Sequence, residues 1–287
     1  MKKKERKKLS ILIPLFFGEE VFSRCLETLM TGSSDLFATD WEILVYNNGF
    51  SETKLNDLCG VYPQIKFFGE GKNIGFASAN NFLLEKSRGE FVLLLNQDVF
   101  ISSDSILELL IFLENNAKYD CVAPQLKYEN GSDQYSCRPF PRGFIFMLTD
   151  FLTGGRRYRL LYSPKKSGEV DQPMASCLLF RGEKLRALEG FDDHPDFFLY
   201  FNDTDLSYRL KQSGGASYFL SSVSAVHMHG NSTALLPEPK RLGLWARGLG
   251  RFWTKTGHNF YSAYGKAYVL TVARALVIAL RAIAGKR

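Results

Sequence analysis

Hydrophobic and polar positions divide the first half of the chain into two alternating kinds of segment. Uninterrupted apolar runs fall at 9–17 (LSILIPLFF), Trp41–Tyr46, Gln64–Phe68 and Glu90–Leu95. Runs this short and this rich in Ile, Leu, Val and Phe predict strands buried on both faces. Between them, apolar residues recur at helical spacing over Glu20–Thr31, over Asn73–Lys86 (Phe76, Ala79, Phe82, Leu83) and over Ser103–Asn115. Ser103 or Asp104 is a natural N-cap for the last of these. Strand–helix alternation of this kind predicts an α/β fold with a parallel sheet covered by helices on both faces. Further strands are expected at Ala175–Phe180 and Ser217–Val226, and helix from Lys240 onward. The stretch 128–170 breaks the rhythm with Pro139, Pro141, Pro164, a glycine pair and the basic residues Arg156, Arg157, Arg159, Lys165 and Lys166. It reads as a long, partly mobile insertion beside an active site, the usual role of long irregular segments in compact domains.

Composition changes this picture little, but charge placement changes it more. With 287 residues and 45% hydrophobic positions, the chain has ample material for a core, which excludes a disordered protein or a coiled coil. The net charge of +6 is the sum of unlike parts. Residues 1–8 are net +5, residues 9–205 net −10, and residues 206–287 net +11 with Glu238 as their one acid. An acidic body between basic ends argues against a nucleic-acid-binding surface, and no aromatic–basic sheet motif or helix-turn-helix pattern accompanies it. The five cysteines are scattered without a CxxC pair, so a reducing cytosol is the expected compartment. The apolar run behind the basic start is short and lacks a small-residue cleavage site, so a strand is expected there and not a signal peptide. No window is long and apolar enough to span a bilayer.

In open parallel sheets, ligands bind beyond the carboxyl ends of the strands, so polar residues there are the first candidates. Directly after the strand at 90–95 comes Asn96-Gln97-Asp98. A carboxylate in that place either closes a turn or holds a divalent cation against substrate phosphates. Asp203 and Asp205 stand two apart at an expected helix start behind the aromatic run FFLYF. They read as helix-capping acids or as a shielded pair in which one carboxylate is poised as a base. His227 and His229, two of only four histidines, share one face of a strand end and are structural residues or ligands.

These segments occur in an order that resembles a known family. LSILIPLFF, EILVYNNGFSE, GKNIGFASANNFLLEKSRGEFVLLLNQD, MASCLLFRGEKLRALEGFDDHPDFFLYFNDTDLSYRL and AVHMHGNST are together similar to family-2 glycosyltransferases of the GT-A fold. The likeness is strongest to the rhamnosyltransferase-like branch of bacterial surface-polysaccharide synthesis and covers roughly residues 9–235. YENGSDQYSCRPFPR and RFWTKTG resemble further stretches of that branch. The resemblance implies a Rossmann-like, mostly parallel central sheet with a C-terminal helical extension. The division it suggests is a basic tail at 1–8, a GT-A domain at 9–238 and a helical segment at 239–287.

It also implies a metal-dependent, inverting transfer of a sugar, rhamnose or another deoxyhexose, from a nucleoside diphosphate (dTDP or UDP) to a saccharide or lipid-linked acceptor. Asp98 matches the aspartate that binds Mg2+ or Mn2+, and His227 the second metal ligand, with His229 as the nearby alternative. Asp203 matches the base and Asp205 a supporting acid. Asn47, Asn73, Gly75, Asn80 and Asn96 would line the donor site. Two positions depart from the family pattern. Asn47 stands where an aspartate usually meets the nucleotide base, and Asn202 where a glutamate is common. They motivate one other reading, a non-catalytic subunit that binds a sugar nucleotide. The C-terminal helix at 261–284, apolar nearly all round with Arg274 and Arg281 on one side, suits a peripheral position on the anionic cytoplasmic face of the inner membrane. Trp245, Trp253, Tyr261 and Tyr268 would sit nearby. Packing on the domain or a homodimer interface is the alternative for that helix.

Overall fold

In the computed structural model, which describes residues 6–32, 40–141, 143–152, 166–228 and 236–284, the alternating pattern folds into one mixed sheet. In chain order the first half is β1 (Lys7–Leu15), α1 (Glu19–Leu29), β2 (Trp41–Asn47), α2 (Glu52–Val61), β3 (Lys66–Phe68), α3 (Phe76–Lys86) and β4 (Gly89–Leu95). Then follow β5 (Val99–Phe100), α4 (Ser103–Asn115), β6 (Cys121–Lys127), β7 (Cys137–Arg138), α5 (Phe144–Leu152), β8 (Gly168–Val170), β9 (Gln172–Pro173) and β10 (Cys177–Arg181). The remainder is α6 (Gly182–Ala187), a 3-10 turn (Pro195–Phe197), α7 (Asn202–Gln212), β11 (Ser217–His227), α8 (Glu238–Lys255) and α9 (Phe260–Ala284).

The sheet runs β3-β2-β1-β4-β10-β6-β11-β5, with β8 also on β11. β3, β2, β1 and β4 are mutually parallel, β10 runs against β4 and β6, and β11 resumes the first direction beside β6. β7 and β9 form a separate two-stranded ribbon. The strands are apolar on both faces because both are covered. Ile11, Ile13, Val45, Leu93 and Leu179 point to one cluster with α1 and α4, while Leu12, Leu44, Val92, Leu94 and Phe180 point to the other with α3, α6 and α7. That alternation within an uninterrupted apolar run is what a two-sided core requires.

Three features differ from the sequence expectation. β1 begins at Lys7, so the expected tail loses its last two residues to the sheet, and Lys8 forms ion pairs with Glu90 and Glu114. α2 and β6 form where the pattern gave no signal. α2 buries only Leu58, and β6 carries Pro124 at the point where its pairing with β11 becomes irregular. The stretch 128–170, expected to be irregular, contains β7, α5 and β8, while Arg156, Arg157, Arg159 and Lys165 lie outside the described residues.

The C-terminal helices pack through a third cluster. Trp245, Leu249, Phe252 and Trp253 of α8 meet Ala263, Ala267 and Leu270 of α9, Met147 of α5 and Phe197. Both tryptophans are therefore inside and not at a membrane-facing edge. α9 leaves Tyr261, Tyr268, Val269, Val272, Leu276 and Leu280 exposed on its other side. Among the described residues no helix is long and apolar enough to cross a membrane.

Candidate active site

The carboxyl ends of β4 and β11 meet through the two-residue strand β5. Val99 pairs with His227, Phe100 with Val226, and the Met228 amide donates to the Asp98 carbonyl at 3.0 Å. This ladder brings Asp98 and His227, distant in sequence, side by side. Both are buried, and Asp98 Oδ1 lies 3.6 Å from His227 Nε2. That separation is too long for a good hydrogen bond. A carboxylate beside an imidazole is a donor pair that would hold a divalent cation, Mn2+ more readily than the harder, oxygen-preferring Mg2+. Among the described residues no group of three or more His, Cys, Asp or Glu side chains surrounds a common point. His229 lies outside the described residues.

Polar side chains then fasten the neighbouring loops. Gln97 bonds the backbone of Phe16 and Phe17, tying the loop after β1 to the loop that carries Asp98. Asn96 donates its backbone N–H to Ser176, one residue ahead of β10. Asn48 accepts from the Ile74 amide at 3.0 Å and donates to the Gly75 carbonyl at 3.3 Å, holding the start of α3. Asn47 is spent on its own turn: Oδ1 accepts from Gly49 and Phe50, and Nδ2 donates to the Phe50 carbonyl. Its amide oxygen thus already has two donors, which fills the two acceptor sites of a carbonyl. Asn73 accepts from Gly75, whose φ of 89° in the left-handed region suits glycine. A Cβ there would meet Phe198 only at ordinary contact distance, so conformation and not space demands the glycine. Asn80 is buried, donates to the Phe76 carbonyl, and leaves Oδ1 without a hydrogen-bond partner.

α7 presents the second acidic group. Its entry is strained, because Phe201 adopts φ 68°, uncommon for a bulky residue. α8 holds it there. A Cβ on Gly248 would lie 2.8 Å from the Phe201 ring and from the Tyr200 carbonyl, and Trp245 meets the ring edge-on at 5.7 Å. Asp203 follows in the first helical turn and accepts from the Thr204 amide at 2.8 Å. Burial pushes its carboxyl above the ordinary range, against the pull of Arg138 and of the Thr204 donors. The side chain still keeps part of its surface open. Asn202 accepts from the Asp203 amide at 3.0 Å.

Asp205 has a different environment. It is fully buried, accepts from Arg209 Nε at 2.7 Å and forms an ion pair with Lys255 of α8. Arg209 also donates to the carbonyls of Leu188 and Gly190, so Asp205 supports the loop in front of Asp203 without facing solvent. Asn81 fastens the same loop with two 2.8 Å bonds to the Phe191 backbone. Gln97, Asn81, Gln134 and Arg209 lie inside the family-like segments but were given no role from sequence, because the partners that define their roles are brought close only by the fold.

A Rossmann-like sheet with a carboxylate–imidazole pair beyond its carboxyl edge and a separate recessed acid on a flanking helix defines a GT-A glycosyltransferase. The chain belongs to Glycosyl transferase family 2, whose family model matches residues 10–200. It is 27% identical over 229 residues to the rhamnosyltransferase WbbL of Escherichia coli, covering 76% of this chain and 82% of that one. It is 26% identical over 216 residues to the N-acetylglucosaminyl-diphospho-decaprenol L-rhamnosyltransferase of Mycobacterium tuberculosis, covering 68% and 69%. Among solved structures it is similar to GalNAc-T7 with UDP, GalNAc and Mn2+ (TM-score 0.61, 15% identity, 94% of this chain but 55% of that one). It is also similar to the mannosyltransferase PcManGT of Pyrobaculum calidifontis in complex with GDP-Man and Mn2+ (TM-score 0.58, 14% identity, 99% and 81%).

Proposed function

We propose that the protein is an inverting, metal-dependent transferase that moves a deoxyhexose, rhamnose first among them, from dTDP or UDP to a lipid-linked or saccharide acceptor. The observation that carries this reading is Asp98 facing His227 across 3.6 Å at the carboxyl edge of the sheet. Asp98 and His227 would hold Mg2+ or Mn2+, and a cation there supplies charge neutralisation to the departing diphosphate. Asp203 accepts the proton of the acceptor hydroxyl as that oxygen bonds the anomeric carbon and the carbon–oxygen bond to the diphosphate breaks. Its raised pKa brings it closer to the working range of a base. Asp205 positions this carboxylate through Arg209 and Lys255. Asn73, Gly75, Asn80 and Asn96 shape the donor side, with Asn47 acting through the turn it closes. The relatives named rhamnosyltransferases support the choice of sugar, and the decaprenol-linked substrate in one name supports a lipid-linked acceptor.

The exposed face of α9 supports a peripheral place on the cytoplasmic side of an anionic membrane. Lys266, Arg274 and Arg281 are the helix's only charged residues; Arg274 is turned inward over the Trp245 ring, and the outer stripe of Tyr261, Tyr268, Val269, Val272, Leu276 and Leu280 carries no charge. Sedimentation with anionic vesicles and not with zwitterionic ones is the expected result; a concentration-dependent dimer without lipid binding would replace the membrane by a second copy.

The central test is product formation from dTDP-, UDP- and GDP-sugars with and without Mn2+ or Mg2+. Turnover of a deoxyhexosyl donor that disappears with chelator is expected. Tight nucleotide binding with neither transfer nor donor hydrolysis would establish the non-catalytic subunit instead.

A further inference from the structure

The buried face of His227 away from Asp98 is occupied by Gln134. Its Oε1 lies 2.7 Å from His227 Nδ1, and the side chain is 4% exposed. Both residues are carried by one ladder. The Gln134 amide donates to the Leu126 carbonyl at 2.8 Å, and Lys127, the next residue of β6, pairs with Val226 beside His227. The geometry points to Gln134 as the positioning residue that keeps the proton of a neutral His227 ring on Nδ1 and so turns the lone pair of Nε2 toward Asp98.

The assignment deepens the cation reading above and rests on it for its purpose. A ligating imidazole commonly donates its other N–H to a carbonyl or carboxylate, which sets tautomer and ring orientation together. Gln134 meets that need with an amide oxygen in a place where its own Nε2 has no hydrogen-bond partner. Burying an unsatisfied amide donor costs free energy. An apolar residue of similar shape would avoid that cost, so the glutamine is accounted for by what its oxygen does for the ring. The opposite amide orientation would donate to Nδ1, place the ring proton on Nε2, and aim N–H and not a lone pair at Asp98.

Two measurements separate these arrangements. Long-range 1H–15N correlation spectra of the metal-free protein at alkaline pH, with His227 identified by loss of its signals in His227→Asn, report the tautomer directly. The expected spectrum has protonated Nδ1 and unprotonated Nε2 in the wild type and in Gln134→Glu, and a mixed or reversed pattern in Gln134→Leu. Titration of Mn2+ followed by electron paramagnetic resonance, with UDP as the diphosphate probe, should show roughly 10–100-fold weaker binding in Gln134→Leu. Gln134→Glu, which keeps the acceptor, should bind at or below the wild-type Kd. A wild-type ring protonated on Nε2 overturns the proposal, as does a Gln134→Leu chain with the wild-type spectrum and wild-type Mn2+ affinity. The expected spectrum in a wild-type chain that binds no Mn2+ upholds the tautomer and overturns the cation reading instead.

Discussion

The two ends of the central sheet treat buried carboxylates in opposite ways. At the amino end, Glu42 of β2 is almost inaccessible yet accepts from Ser10 Oγ, Lys66 Nζ, the Arg88 backbone and the Arg88 guanidinium, at 2.8–3.2 Å. Burial alone would raise its pKa, but the donors from Lys66, Ser10 and Arg88 outweigh burial and bring it down to about 2. At the carboxyl end, burial outweighs the Arg138 charge and the Thr204 donors, and the pKa of Asp203 rises. One end satisfies its charge and so fastens the parallel strands. The other leaves a carboxylate buried with fewer donors, the state that the proposed base requires. Under the proposed function, stability and chemistry are thereby separated along the length of the same strands.

The largest effect that would sharpen this contrast is on rate. Asp203→Asn should lower transfer by roughly 10²–10⁴-fold while thermal denaturation shows no loss of stability. A fully active variant would remove Asp203 from the chemistry. Glu42→Gln should do the reverse, costing about 1.5–3 kcal/mol by weakening the charge-assisted hydrogen bonds from Lys66 and Arg88, whose side chains remain partly exposed, with the rate per folded molecule unchanged. Denaturant titration and active-site-normalised kinetics read both quantities. Next in size is Gly248→Ala, whose Cβ would press on Phe201. A loss of about 1–3 kcal/mol, as overpacking gives, should be accompanied by reduced kcat as Asp203 shifts.

The smallest effects are pH dependences of opposite sign. Glu42 is lowered in the folded state, so its contribution is complete above the unfolded value near pH ~4.3 and disappears as pH falls toward about 2. Wild-type stability should decline in that window and that of Glu42→Gln should be flatter. Asp203 is raised, so its charged form disfavours folding above the folded pKa, and that penalty is relieved as pH drops. The acid limb of kcat/KM should accordingly lie above the ordinary aspartate value of about 3.9.

The contrast also shows what the sequence could disclose. β1, β2 and β4 were legible because a two-sided core demands uninterrupted apolar runs. The positions of Asp98, Asp203 and His227 followed from strand ends and a family-like order. α2 escaped because one buried residue makes no periodicity, and β6 because Pro124 interrupts its strand signal. Ser10, Glu42, Lys66 and Arg88 are unremarkable in sequence and become a staple only when three strands are parallel and in register. The turn closed by Asn47 uses the very oxygen that sequence logic offered to a nucleotide base, since the local backbone donors of Gly49 and Phe50 reach it first.

The short pairing of β5 with β11 has a consequence for when the protein becomes competent. β11 lies between β6 and β5 in the sheet but late in the chain, and His227 is its last residue. A nascent chain that has emerged through β10 can already pair β1, β2, β3 and β4 and fasten both ends of those strands. It cannot yet set an imidazole beside Asp98. Because contacts between distant segments close slowly and domains fold as they leave the ribosome, catalytic competence should arrive as one of the last events of synthesis. Fragments ending before residue 217 should be inert toward donor sugar however well their first strands are formed.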